Sequence, residues 1–528
     1  MGFGASELEL KQRLLSRSAR EAFNAKHPAR SNAVSRAVRQ NPDTVGQTQN
    51  FYGNMTSAHA DGKDYNDVLV PATCRYVTSP VTFPDGYTRT LSIWVADDCW
   101  GSSSPKAHAI TQDMVDACAK KFFGSAADGS DSIYYYVTNV VGAEWGNVSD
   151  VSLIGETDNV TILLQDIGDD GDLAETSPAD NGGVVGYFWS MNNLSDAYIY
   201  EDYHYHSNQR LMFNLDAVMY ANPDANGYGM KDTGYYTGGT WSENSYWSEE
   251  CYSTLAHEFQ HMIHFYQKDI LHSTVSAISD SSWTDEMCSM LIEDLLSDKL
   301  NVMGPRGVEP ATMSAGAAGN VQGRMPLFNY YDDVGISLAN YWFLNGDPTT
   351  AQPYAAYSVA YSLGAFLARN YGGASFVKNV VQTSAVDEAA VVAACNAYSG
   401  KNEDFATLIK HWSMAVGLSN NSSAPAYYAY NNGGAFSSTI GSVTYNLGSI
   451  NLFNYSLISG GTTYCVGPYI TNISSSKITS DTITNSTTNY GFYNGYANQY
   501  YLLGSSITGS HSWDITLPAG YTFSVVAQ

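Results

Sequence analysis

Apolar positions along this chain alternate first, then take a helical period, then alternate again. The run from Thr88 to Trp94 has the two-residue alternation of a half-buried strand, and a helix follows near Ile110–Phe123. Strands recur at Asn159–Gln165, Val184–Trp189 and Arg210–Tyr220. A helix of roughly twenty residues is then predicted from Trp247 to Tyr266. Leu255, Phe259, Met262, Ile263 and Tyr266 give it apolar faces, Ser248 is its expected N-cap, and Glu249 and Glu250 suit its first turn. Trp283–Leu295 reads as a second helix. Residues 271–418 stay mainly helical, interrupted near Met303–Met325 and Gly346–Pro353, and the last helix, Glu403–Val416, stops at Gly417. Beyond Ser419–Pro425 come short alternating runs rich in Tyr, Thr, Ser and Asn, with strands expected at Tyr469–Ile473, Tyr500–Leu503 and Tyr521–Val526. Ahead of all this, Ser6–Ala25 reads as a helix and residues 46–85 as polar and irregular. The expected organisation is α+β: a basic leader (1–45), a mixed α/β unit (46–270), a helical unit (271–420) and a β-sandwich (421–528).

Length and charge narrow the classes. A chain of 528 residues is long enough for two to four domains, and its pattern excludes a helix-only or strand-only fold. The formal net charge of −26 argues against nucleic acid or an anionic membrane as partner. Residues 1–43 carry eight Lys/Arg against four Asp/Glu, so the rest of the chain is more acidic still. No apolar run reaches the length of a transmembrane helix. Charged residues make up only 14% of a chain rich in Tyr, Ser, Asn, Thr and Gly, a surface style common in secreted and envelope proteins. The start Met1-Gly2-Phe3-Gly4-Ala5-Ser6 formally fits a myristoylation pattern, but reads better as replacing a removed targeting segment. Seven cysteines without short paired spacing do not make a thiolate zinc site; Cys288 is expected to be a packed core residue.

The predicted helix Trp247–Tyr266 carries the chemistry. His257-Glu258-Phe259-Gln260-His261 places two imidazoles one turn apart on one helical face, where both can reach one Zn²⁺. Glu258 then serves as base toward a water acidified by the metal. With 11 His among 528 residues, this pattern is expected by chance only about 0.007 times, so coincidence does not account for it. The third ligand sorts the zinc classes. His264 and Gln267 stand where a metzincin would have Gly and His, which disfavours that class. A carboxylate on the second helix serves better, and Glu286, 25 residues after His261, completes an open His₂Glu site. Asp285, Glu293 and Asp294 compete with it. Glu293, two turns along from Glu286, suits an orienting partner for a histidine or a solvated helix position. His264 reads as a neighbour of the site. In the loop Asp166–Asp172, four carboxylates around two glycines allow Ca²⁺ or a plain acidic turn.

The motif His-Glu-Phe-Gln-His-Met-Ile-His-Phe, followed by Trp-x-x-Glu-x-x-Ser-Met-x-x-Glu-Asp-Leu, resembles the hyicolysin-type zinc metallopeptidases of the gluzincin (thermolysin-like) group. The strong part of the resemblance spans roughly residues 90 to 375. It implies a two-lobed core with a mixed-sheet upper lobe and a helical lower lobe, zinc on His257, His261 and Glu286, and base catalysis by Glu258. Two positions depart from the pattern: Asp285 stands where Asn is expected and Met287 where Gly is expected.

Two further stretches resemble parts of that group. Gly182–Asn193 is similar to the edge strand laid along a substrate backbone, though an ordinary sheet strand would read the same way. Tyr357–Leu367 looks like a helix start carrying a tyrosine that hydrogen-bonds the tetrahedral intermediate, which implies Tyr361 as oxyanion donor. His272, His206 and His411 are alternatives for that role. The resemblance and composition together imply an exported bacterial peptidase acting on peptide or protein substrates. An aminopeptidase would usually show a glutamate near the edge strand, and none occurs between Gly182 and Leu194. The rival reading is an envelope binding protein or adhesin on an inactive peptidase scaffold.

Overall fold

The computed structural model describes residues 17–27, 42–53, 69–146, 150–155, 157–167, 184–203, 205–223, 239–272, 280–306, 324, 335–337, 353–452, 456–459, 462–465, 470–472, 476–479 and 497–527. Its centre is a seven-stranded mixed sheet built from β1 (Thr48–Tyr52), β2 (Leu69–Val77), β3 (Val81–Thr82), β4 (Thr88–Ala96), β5 (Asn159–Gln165), β6 (Gly186–Phe188) and β7 (Leu211–Asp216), in the order β1-β2-β4-β5-β7-β6 with β3 beside β4. β4, β5 and β7 run parallel, β2 and β6 pair antiparallel with β4 and β7 on either flank, and β1 pairs antiparallel with β2. From Val160 to Gln165, β5 is buried throughout, as expected of a strand covered on both faces.

The sequence pattern and the structure part company in particular places. Within residues 46–85, of which 54–68 lie outside the described residues, the described part is not irregular, because it supplies β1, β2 and β3. Exposed and half-buried positions dominate β1 and β2, and β2 contains Pro71, so neither shows a clean apolar alternation. The expected strand Arg210–Tyr220 divides at Asp216, whose carboxylate accepts from Met219 N–H at 2.7 Å and caps a short helix. The stretch Ile133–Val141, β-branched and aromatic, is helical despite its propensity; Ser132 Oγ caps its start and it is almost entirely buried.

Among the described residues the α-helices are α1 (Arg17–Lys26), α2 (Gln112–Phe123), α3 (Ile133–Val141), α4 (Asp196–Tyr203), α5 (Ala217–Ala221), α6 (Tyr246–His264), α7 (Ser282–Leu300), α8 (Pro353–Asn370), α9 (Ala374–Val381), α10 (Asp387–Ser399) and α11 (Phe405–Gly417). α6 begins after Ser245 rather than at Ser248, which lies inside the helix, and it runs on into a wider π-helical stretch, Phe265–His272. α6 packs on the sheet through β6 and β7, α7 packs on α6, and α8 packs on α7. Of the expected leader helix, Ser6–Ser16 lies outside the described residues. Its remainder, α1, docks on the body: Phe23 is buried against Tyr198, and Arg20 reaches Asp150 and the carbonyl of Asp269.

The hairpin β8 (Phe436–Ile440) and β9 (Val443–Leu447) packs against α9 and α7, and Tyr430, Tyr445, Leu447, Ile450 and Leu452 join the same core as the helices. Farther on, the described strands form small sheets. Ala497–Leu502 pairs with Ile470–Asn472 and with Gly335–Ser337, and Lys477–Ile478 pairs with Asp514–Ile515. Tyr521–Val526, expected as a strand, is not one. Cys74, Cys99, Cys118, Cys251, Cys288 and Cys395 are buried free thiols, and Cys288 is indeed a core residue. Among the described residues no helix is long and apolar enough to cross a membrane.

Candidate metal centre

α6 presents His257 and His261 on one face, their ring centroids 4.7 Å apart, and α7 crosses that face with Glu286. His257 Nε2 lies 3.1 Å and His261 Nε2 3.5 Å from Glu286 Oε2. One donor atom from each of the three residues falls within 4.8 Å of the others, a spacing able to surround a single metal ion. The donor set of two imidazoles and one carboxylate has the chemistry of an open zinc site.

Both rings are held from behind. His257 Nδ1 is 2.7 Å from Glu293 Oε1, and His261 Nδ1 is 2.9 Å from Asp285 Oδ1, which leaves each Nε2 facing Glu286. Burial opposes charge on His257, but Glu286 and Glu293 prevail and hold its pKa up to about 9. Burial is likewise outweighed at His261, by Asp285 and Glu286, and at Glu286, whose carboxyl the two rings keep well below its ordinary range. Glu293 is therefore not a solvated helix position: its carboxylate also accepts from Ser253 Oγ at 2.8 Å.

Glu258 lies one residue from the first ligand candidate and is buried at the sheet edge. Its Oε2 accepts from the backbone N–H of Phe188, on β6, at 2.6 Å. Burial raises its pKa above the usual carboxylate value, with His261 and His257 acting the other way. β6 pairs with β7 and packs on α6.

The structure does not bring Tyr361 to this cluster. Its side chain is fully buried, Asp294, Arg369, Arg324 and Arg306 are its charged neighbours, and its hydroxyl has no hydrogen-bond partner among the described residues. One turn earlier on α8, Tyr357 does reach the site, donating to Glu286 Oε1 at 3.2 Å. The resemblance of Tyr357–Leu367 to a tyrosine-bearing helix start pointed to Tyr361, and Tyr357 lies in the same stretch. Only the docking of α8 on α7 chooses between them. Of the histidine alternatives, His206 stacks between Tyr52 and Tyr200, His411 faces Tyr371 and Glu403, and His272 ends the π-helical stretch. His264 is a neighbour, its Nε2 2.8 Å from Asp280 Oδ2. Met287, at a position where a glycine was expected, is buried against Gly364 of α8, which offers no side chain in its way. Asp166 pairs with Lys106, and the rest of the proposed calcium loop, from Gly168 on, lies outside the described residues.

A scan against known protein families matches Peptidase M30 over residues 71–448, most of the chain. The chain belongs to this family. The hyicolysin-type resemblance thus holds, and the protein is a peptidase of a metallopeptidase family whose substrates are proteins or peptides. The matched span begins within β2 and takes in both helices of the cluster and the β8–β9 hairpin, but neither α1 nor β1. No curated protein matches this M30 peptidase.

Proposed function

We propose that this M30 peptidase is a zinc-dependent endopeptidase, exported from a bacterial cell, with the metal on His257, His261 and Glu286. The observation that carries the reading is the convergence of those three donor groups beside a buried Glu258. A zinc ion held there would acidify a water molecule and polarise the scissile carbonyl. Glu258 takes the proton from the attacking water and passes it to the leaving amine. Phe188 N–H occupies one of its oxygens and so leaves the other for that exchange. The substrate lies extended along β6, using the backbone groups that neither β7 nor Glu258 takes. Tyr357 replaces Tyr361 as the hydroxyl that stabilises the developing oxyanion, because it alone of the two reaches the cluster. The sheet with α6 forms the upper lobe of a thermolysin-like core and the later helices the lower lobe. A C-terminal β unit begins beyond Leu452, since residues up to that point share the main core.

Zinc content by elemental analysis and casein cleavage test this together. Wild type should carry one zinc and cleave casein, and Glu258→Ala should keep the zinc and lose cleavage. A zinc-loaded wild type that cleaves nothing the variant spares would refute the enzyme mechanism. Full zinc retention in Glu286→Ala would remove Glu286 from the ligand set.

A further inference from the structure

Behind the candidate metal centre lies a buried cluster of charge that the proposed chemistry does not use. Glu293 and Asp294, consecutive on α7, meet Arg306, Arg324 and Arg369, all of them buried. Two of the arginines are engaged mainly with Asp294 and with the hairpin: Arg306 Nε is 2.7 Å and Arg369 Nη1 2.9 Å from its carboxylate, and their other nitrogens reach the carbonyls of Asn446 and Gly448. Arg324 differs. Its Nε lies 3.4 Å from Glu293 Oε2, an ion pair rather than a directed hydrogen bond, while its two terminal nitrogens donate to Ser297 Oγ at 2.9 Å and to the carbonyl of Val302 at 2.5 Å. Those two bonds fix the plane of the guanidinium against α7 and the turn that follows it. Gly304, at φ +56°, adapts to this contact: a β-carbon there would sit 3.0 Å from Arg324 Cζ. Glu293 in turn spends its second oxygen, Oε1, on His257 Nδ1.

We propose that Arg324 is a positioning residue for the candidate metal centre: its guanidinium and Ser253 Oγ together hold the Glu293 carboxylate, and Glu293 fixes the ring of His257 through Nδ1. The physical reason is rotational freedom. A glutamate has three torsions, and a carboxylate bound only to an imidazole can swing with it. Anchoring Oε2 from two sides, by Ser253 on α6 and by Arg324 some 38 residues beyond Glu286 in sequence, removes that freedom. Contribution to fold stability alone is a poor account of such an arrangement, because buried ion pairs are often no more stabilising than apolar residues of the same volume. Position is what an apolar replacement could not supply.

The inference rests on the reading of His257, His261 and Glu286 as a zinc site, and its test separates the two. Zinc dissociation constants are measured by chelator competition on wild type, Arg324→Lys and Ser253→Ala, together with the visible absorption of the cobalt-substituted proteins. Lysine keeps the charge but loses the fork that grips Ser297 and Val302, and alanine removes one hydroxyl from α6, so both variants are expected to fold; circular dichroism checks this. Each should weaken zinc about tenfold, at the lower end of what loss of an orienting partner costs, and shift the cobalt bands through altered ligand geometry. If wild type itself binds no zinc, the metal-site reading falls. If wild type binds zinc and both folded variants bind it equally tightly with unchanged cobalt spectra, the zinc site stands and the positioning role of Arg324 is overturned. A variant that fails to fold leaves the other to decide: a folded Ser253→Ala with unaltered zinc affinity also overturns the two-sided anchor.

Discussion

Replacing Asp294 with Asn should destabilise the protein more than any other single change that leaves its shape intact. The carboxylate is completely buried and receives Arg306 Nε at 2.7 Å and Arg369 Nη1 at 2.9 Å, with Arg324 Nη1 at 3.9 Å. Burial by itself would push this carboxyl up, yet Arg369, Arg306 and Arg324 drive it far below the ordinary aspartate range. Asparagine fills the same space and still accepts hydrogen bonds. It removes the one negative charge that all three guanidiniums share, leaving Arg324 with Glu293, Arg306 with the exposed Asp298 and Arg369 with neither. Loss of one partner from a buried ion pair costs about 3–5 kcal/mol, and the upper part of that range applies where three cations are left behind. Urea unfolding, followed by tryptophan fluorescence on metal-free protein so that metal release does not intrude, measures the difference. The sign with pH follows from the lowered pKa: the stabilisation is fully present above the unfolded value of 3.8 and is lost as pH falls through the lower folded value. The gap between wild type and variant should therefore be constant above about pH 5 and narrow only in strong acid. A loss below about 1 kcal/mol at pH 7 would place the pair in the class of exposed salt bridges and refute the reasoning.

Tyr357→Phe should lower kcat about 100-fold with KM and zinc content little changed, while Tyr361→Phe leaves kcat within about twofold; peptide-hydrolysis kinetics showing the reverse would return the oxyanion role to Tyr361. Burial, reinforced by Glu293, pushes the Glu250 carboxyl up to about 8 from 4.5. A raised pKa means stability that is full below 4.5 and lost as pH rises through 8, so Glu250→Gln should unfold at higher urea than wild type at pH 9 and at nearly the same urea at about pH 4. Phe23→Ala should cost about 3–5 kcal/mol, as for a core aromatic, if α1 is an integral part of the body; an unchanged thermal midpoint would mean that the helix docks without stabilising it.

What could be read from the sequence was whatever depends on local periodicity. His257, Glu258 and His261 share one helix, and β5 is a short run dominated by Val160, Ile162, Leu163 and Leu164, so both were evident at their residue numbers. Glu293 was reachable for the same reason: its spacing from Glu286 keeps it on one face of α7. What escaped was set by contacts between distant segments. β1 and β2 are strands because they pair with each other and with β4, a relation that half-exposed residues around Pro71 do not announce. Tyr357 and Tyr361 occupy successive turns of one helix, and the face α8 turns toward α7 is decided by packing, with Gly364 accepting Met287. The grip of Phe188 N–H on Glu258 joins residues 70 apart in sequence through a backbone atom, which no side-chain pattern records.

A single helix governs the geometry of the candidate centre. Asp285, Glu286 and Glu293 all belong to α7, and they meet His261, both rings and His257 respectively. The carboxylate that faces the metal position and the two that orient the imidazoles are therefore one rigid body, opposed by a second rigid body, α6, that carries the imidazoles and Glu258. Their relative placement has few degrees of freedom: a rotation of α7 about its axis would move Asp285 and Glu293 off their rings at the same time as Glu286 left the centre. Asp294 follows Glu293 immediately and points into the arginine cluster, where Arg306 and Arg369 tie it to the β8–β9 hairpin. The hairpin thus resists that rotation from the far side of α7. This gives the end of the family match at residue 448 a physical sense, because among the described residues Gly448 is the last whose backbone accepts from that cluster. The minimal unit able to hold the site is then the sheet, the helices and the hairpin together, and a chain cut at residue 420, before the hairpin, should lose the register of α7 against α6.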